Sequence, residues 1–73
     1  MTIRTQFIPK DYCVRAACAE EIINLPWDPR LDTLGNHMAA AEALARTQRR
    51  TLGGCFRCPG GFMFTTNEQK QTA

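Results

Sequence analysis

Two pairs of breaking residues divide this 73-residue chain into three segments. Pro26 and Pro29 interrupt any helix that reaches them, because proline lacks an amide donor and its ring clashes with the preceding turn. Gly53 and Gly54 stop a helix a second time, since two glycines cost it roughly 2 kcal/mol relative to alanine. The sequence therefore predicts a small fold made of short elements.

Length and composition narrow the class of protein. A chain of 73 residues forms one domain at most, which leaves no room for a Rossmann enzyme, a barrel or a kinase lobe. Hydrophobic residues make up 44% and charged residues 22%, a balance typical of globular chains. The net charge is only +2, so bulk charge does not indicate nucleic-acid binding.

Hydrophobic spacing predicts a first helix over residues 11–24. Val14, Cys18 and Ile22 recur at helical intervals, and Asp11 precedes them as a candidate N-cap. No helix breaker occurs between Asp11 and Pro26.

A second helix is predicted after the two prolines. It begins at Pro29 with Asp28 as cap, or later with Asp32 or Asn36 as cap. The run of alanines at 39–41 favours helix strongly. The helix is expected to end at the arginines of positions 46–50, whose charge suits the negative end of its dipole.

The last third of the chain predicts a β-hairpin. Residues 55–58 and 62–66 are the candidate strands, and Pro59-Gly60 suits the centre of a type II turn. We expect residues 1–9 to form an extended N-terminal arm, residues 1–66 to form a single small domain, and residues 67–73 to form a disordered polar tail. The predicted fold class is small α+β, with two helices packed on a short C-terminal β-hairpin and zinc as an optional staple.

The cysteines leave three interpretations open. Cys55 and Cys58 have the spacing of a zinc knuckle, and Cys13 with Cys18, or one of them with His37, could complete a structural zinc site. Alternatively all four thiols are free, or the pair at 55 and 58 is a redox dithiol. The candidate ligands are Cys55, Cys58, Cys18 and Cys13, with structural Zn²⁺ as the candidate cofactor.

Arginine and aromatic side chains are the candidate contacts for a partner. Arg46, Arg49, Arg50 and Arg57 fall within twelve positions, and arginine forks suit phosphates and carboxylates. Trp27 between two prolines has the rigidity of an interface anchor, although one tryptophan in a small domain also suits the core. The full set of candidate partner-binding residues is Arg4, Phe7, Trp27, Arg30, Arg46, Arg49, Arg50 and Arg57.

Catalytic equipment is sparse in the sequence. The chain has one histidine, no glycine-rich phosphate loop before a helix, and adjacent glutamates, Glu20 and Glu21, that would point apart on a helix. The sequence predicts a protein that is not an enzyme. It has neither the apolar run of a secretory signal nor that of a transmembrane helix, so we expect a soluble cytoplasmic protein.

The combination of a very short, arginine-favouring chain with a cysteine-bearing hairpin and no catalytic groups is similar to small phage proteins that regulate host RNA polymerase. The regulator of a lytic Xanthomonas phage represents this group. The resemblance covers the whole chain through its general character. It implies binding to the β′ and β subunits near the RNA exit channel, inhibition of sigma-dependent initiation, antitermination and contact with nascent RNA, all in the host bacterial cytoplasm.

Two other functions compete with that one. A zinc-stabilised DNA-binding regulator would use the second helix and its terminal arginines, and its affinity would fall steeply with salt. Another phage inhibitor, such as an anti-CRISPR protein, would be separated from a polymerase regulator by the identity of the co-purified target.

Overall fold

The computed structural model describes residues 1–68 and contains one helix and one antiparallel sheet. In chain order the elements are β1 (Thr2–Ile8), β2 (Cys13–Ala17), β3 (Ile22–Pro26), α1 (Thr33–Thr47), β4 (Arg50–Cys58) and β5 (Gly61–Glu68). The five strands lie in the order β3-β2-β1-β5-β4, and α1 contacts all of them from one side. The predicted fold class is therefore wrong: the protein is mostly β, with one helix on a five-stranded sheet.

The first predicted helix, over residues 11–24, is wrong. Cys13–Ala17 and Ile22–Pro26 are neighbouring strands, and Val14 pairs with Leu25 while Ala16 pairs with Ile23. These side chains lie on the helix-covered face, so the apolar residues of each strand recur with a period of two. In so short a run, the pattern also fits the period of a helix. β-Branched residues such as Val14 and Ile23 favour the pleated alternative.

The second predicted helix forms, and one of the predicted starts is right. Asp32 is the N-cap, and its side chain accepts a 2.6 Å hydrogen bond from the Gly35 amide. Asn36 is instead buried in the first turn. Its side-chain amide donates to the carbonyls of Asp28 and Leu31, so it ties the preceding loop to the helix.

The C-terminal hairpin is longer than predicted. β4 and β5 meet at Pro59-Gly60, and Gly60 has φ of +84°, as the third position of a type II turn requires. A register shift between Leu52 and Cys55 places one extra residue in β4, which is a β-bulge.

The predicted N-terminal arm is extended, but it is the central strand of the sheet. β1 pairs with β2 on one side and with β5 on the other. Of the predicted tail over residues 67–73, positions 67 and 68 belong to β5, and positions 69–73 lie outside the described residues.

The core lies between α1 and one face of the sheet. Its fully buried large side chains are Phe64, Ile3, Leu44 and Val14. The alanines of α1 at positions 40, 41 and 45 are also buried, and their small size lets the helix lie close against the strands. Because one helix covers only one face, the sheet has a second face without a covering element among the described residues.

Candidate binding surfaces

The open face is the side of the sheet that α1 does not cover. Strand pairing sets its side chains in rows across the sheet, because directly paired residues share a face. One row reads Ile22, Ala17, Arg4, Met63, Phe56, and the next reads Asn24, Arg15, Gln6, Gly61, Cys58. Sequence analysis had singled out only Arg4 from these residues for partner binding.

The open face carries positive charge at its centre. Arg4 and Arg15 lie on adjacent strands. Among the described residues that belong to strands, none that faces this side is an aspartate or a glutamate. The Nε of Arg15 donates a 3.2 Å hydrogen bond to Asn24 Oδ1. The ion pair that the described residues contain joins Arg30 to Asp28, away from this face. Both open-face arginines are therefore able to bind a negatively charged ligand.

Two large apolar side chains flank this charge at the sheet edges. Phe56 on β4 is 54% exposed and Ile22 on β3 is 63% exposed. The alternation of polar Thr2, Arg4 and Gln6 with Ile3, Thr5 and Phe7 was the signal that could have revealed this face. It is a strand signal of period two, which the interpretation of residues 1–9 as an arm did not use.

A groove lies between α1 and edge strand β4. Its volume is about 340 Å³, and its lining includes Arg46, Arg50, Glu42, Ala45 and Leu52. The basic corner, defined as Arg46, Arg49 and Arg50, lies at this end of the molecule. Arg49 has φ of +56°, a left-handed conformation that turns the chain from the helix into β4.

The fourth arginine of the predicted cluster lies apart from that corner. Arg57 is seven positions beyond Arg50 on β4, a separation on the order of 20 Å along a strand. Its guanidinium lies 5.9 Å from the centroid of the Phe62 ring. Arg57 is therefore close to the other three arginines in sequence but lies apart from them in the structure.

Trp27 and Phe7 belong to an aromatic cluster at the end of the sheet that lies away from the basic corner. Their ring centroids are 5.0 Å apart, and Tyr12 lies 6.1 Å from Phe7. Trp27 also packs against the core, so most of its surface has an internal partner. Nearby Arg30 holds the pKa of Asp28 below its usual value by hydrogen bonding, and Asp28 raises the pKa of Arg30 in return. Arg30 is thus already paired.

The cysteines are spread over the sheet. Cys55 pairs with Phe64 and Cys58 with Gly61, so the two thiols of the predicted knuckle leave opposite faces of β4. Cys13 begins β2, while Cys18 follows its end and lies 3.6 Å from a carboxylate oxygen of Glu20. Within residues 1–68 no three histidine, cysteine, aspartate or glutamate side chains lie together as a metal site requires. Zinc binding stays a prediction.

His37, which the sequence suggested only as an alternative zinc ligand, is a buried polar residue of α1. Its Nδ1 lies 2.8 Å from the Thr5 hydroxyl on the sheet, and its ring meets Phe62 edge-on. Burial lowers the pKa of His37. A neutral imidazole hydrogen-bonded to a hydroxyl satisfies both polar groups inside the core, which is a structural role.

Comparisons with known proteins return nothing that assigns a function. No helix in residues 1–68 has the length and apolarity needed to cross a membrane. No protein-family model, curated protein or solved structure matches this chain. Two surfaces of the described residues are candidates for binding: the open face and the groove beside β4.

Proposed function

We propose that this chain is a non-enzymatic binding protein that attaches to a larger protein by accepting an extended segment along edge strand β4. The observation that carries the proposal is the groove between α1 and β4, which combines an unpaired strand edge with apolar and arginine side chains. Occupation of a surface that another factor needs would then regulate the partner without any chemistry.

The two edges of the sheet differ in how well they are protected. β3 has five residues and ends in Pro26, which cannot donate to an added strand. β4 has nine residues without a proline, and its outer amides and carbonyls offer a template for pairing on either side of the bulge between Leu52 and Cys55. Strand addition to such an edge supplies affinity through main-chain hydrogen bonds and specificity through neighbouring pockets.

Charge favours an acidic segment in the groove. Arg46 and Arg50 line the groove together with Glu42, and Glu68 is the cross-strand neighbour of Arg50. Neither arginine forms an ion pair with these two carboxylates, so both can bind a carboxylate of a partner. A second copy of the chain is a poorer occupant, because its β4 carries Arg50 and Arg57 and no acidic residue. Such a strand would bring further positive charge to a groove that already contains Arg46 and Arg50.

Bacterial RNA polymerase is the partner that we propose, on the strength of the resemblance described above. The segment would come from the β′ or β subunit near the RNA exit channel, and its occupation would inhibit sigma-dependent initiation and promote antitermination in the host cytoplasm. An anti-CRISPR protein could use the same edge on a different target, and the identity of the co-purified target separates the two.

Co-elution with bacterial core RNA polymerase on gel filtration tests this function. We expect the wild-type chain to co-elute and Arg46→Glu to weaken its affinity at least tenfold, because the substitution reverses charge beside the groove. Lys10→Glu is the matched control, since it makes the same charge change in the turn between β1 and β2, away from the groove. Absence of co-elution, or an equal loss with Lys10→Glu, would contradict the proposal.

A further inference from the structure

We propose that the open face of the sheet is a separate binding surface for single-stranded nucleic acid. This inference does not depend on the groove beside β4, because the two surfaces share no side chain that the argument uses. It rests on the charge, the apolar flanks and the uncovered surface that five paired strands create.

The dimensions of the open face suit a short single strand. Five strands spaced about 4.8 Å apart span roughly 19 Å between the outermost strand axes. Sheet faces of this kind bind single strands in several nucleic-acid-binding folds, because bases can lie flat on side chains. A duplex is read by an element that enters a groove, which a flat face cannot do.

The phosphates would be held by Arg4 and Arg15 at the centre of the face. Neither arginine belongs to the Arg30–Asp28 ion pair. The acidic residues that precede and follow β2 in sequence, Asp11 and Glu20, lie in the turns outside the strand. An arginine without a carboxylate partner does not have to break an internal ion pair before it binds phosphate. The face therefore presents a local charge of +2 although the chain as a whole is only weakly basic.

The bases would be held by side chains on both sides of those arginines. Phe56 is more than half exposed, and its ring lies close to Gly54, where an added Cβ would come within 3.2 Å of it. An exposed aromatic ring can stack on a base. Gln6 and Asn24 supply amide donors and acceptors in the neighbouring row. This order, with an aromatic edge next to a cationic centre, distinguishes the open face from a merely solvated one.

Fluorescence anisotropy with a labelled single-stranded RNA of about 12 nucleotides tests the inference, with the full chain as protein. Two neutralised phosphates predict that the logarithm of the binding constant falls with the logarithm of salt concentration at a slope of about −1.4. Affinity should thus fall about sevenfold between about 50 and 200 mM salt. A duplex of the same sequence should bind more weakly.

Variants assign the binding to the open face. We expect the double change Arg4→Gln with Arg15→Gln to weaken binding at least tenfold, and Phe56→Ala to weaken it severalfold with no change of charge. Arg46→Glu alters the groove and not the open face. It should lower the affinity for the RNA by no more than about twofold, which is the modest loss that a change in overall charge produces. Circular dichroism of each variant verifies that the fold is retained.

The opposite results would overturn the inference. Those results are no binding at about 50 mM salt, equal binding of duplex and single strand, or a greater loss with Arg46→Glu than with the open-face pair. A failure here leaves polymerase co-elution unaffected, and a failure of co-elution leaves RNA binding unaffected, so the two proposals can fall separately.

Discussion

The two faces of the sheet are built from the same strands, and neighbouring residues in each strand have opposite environments. In β5, Phe64 is 1% exposed beneath α1, whereas Met63 beside it lies on the open face. In β1, Ile3 is fully buried, while Arg4 points to the other side. The covered face selects residues for fit against the helix. The open face has no such demand, so the charges and amides found there are available for binding.

The largest test of this contrast compares the two neighbours in β5. Phe64→Ala removes the largest fully buried side chain and should lower the free energy of unfolding by about 3–5 kcal/mol, because a cavity remains in the core. Met63→Ala should cost less than about 1 kcal/mol, since its surroundings are partly solvent. Urea denaturation measures both, and equal losses would contradict the assignment of the faces.

Glycine at position 61 is an open-face site where substitution should nevertheless be costly. A Cβ there would overlap the carbonyl oxygen of Thr5, so Gly61→Ala must push β5 away from β1. We expect a loss of about 1–3 kcal/mol in the free energy of unfolding, which is typical of overpacking.

Gly60→Asn is the control for that substitution. Nothing lies within 4 Å of a Cβ at Gly60, and asparagine tolerates its positive φ better than other side chains. The same denaturation experiment should give a loss below about 1 kcal/mol for Gly60→Asn. A tolerated Gly61→Ala would show that the two central strands can separate without cost.

The smallest expected effect concerns His37 and Thr5, which form a hydrogen-bonded polar pair between α1 and the covered face of the sheet. The pKa of His37 lies below its unfolded value of about 6.5, so the unfolded chain binds more protons as the pH falls below that value. The contribution of neutral His37 to the free energy of unfolding is therefore fully present above about pH 6.5, and it decreases as the pH falls toward the folded-state pKa.

Thermal unfolding at about pH 7.5 and about pH 5.5 measures this effect, in a window above the titration of ordinary carboxylates. The groups that surround the His37 ring are the Thr5 hydroxyl and Phe62, with the Arg57 guanidinium over the Phe62 ring. The melting temperature should fall with pH in the wild type and change less in His37→Gln. A wild-type melting temperature that is constant over this range would contradict the pKa direction.

Prediction from sequence succeeded where local chemistry decides the conformation. Asp32 caps α1 because its carboxylate meets an amide three residues later, and Gly60 closes the hairpin because it tolerates a positive φ. Both are interactions within a few residues. The same kind of reasoning predicted the end of the helix near Arg46, where the last turn lies.

Prediction failed where distant segments decide the conformation. Residues 11–24 fit a helical stripe and a strand pattern equally well, and pairing of Val14 with Phe7 and Leu25 selects the strand. The thiols at Cys55 and Cys58 were placed on one turn, but β4 continues through both and separates them across the sheet. Arg15 was passed over because its neighbours on the open face come from strands that only the fold brings together.

The breaks at Pro26 and at Pro59-Gly60 and the helix that Asp32 caps follow from local sequence, because each depends on steric and hydrogen-bonding rules over a few residues. Long-range pairing places β1 at the centre of the sheet, puts Arg4 and Arg15 on adjacent strands of one face, and leaves β4 as an open edge. Those outcomes depend on burying Ile3 and Phe64 against α1, and only long-range contacts specify that burial.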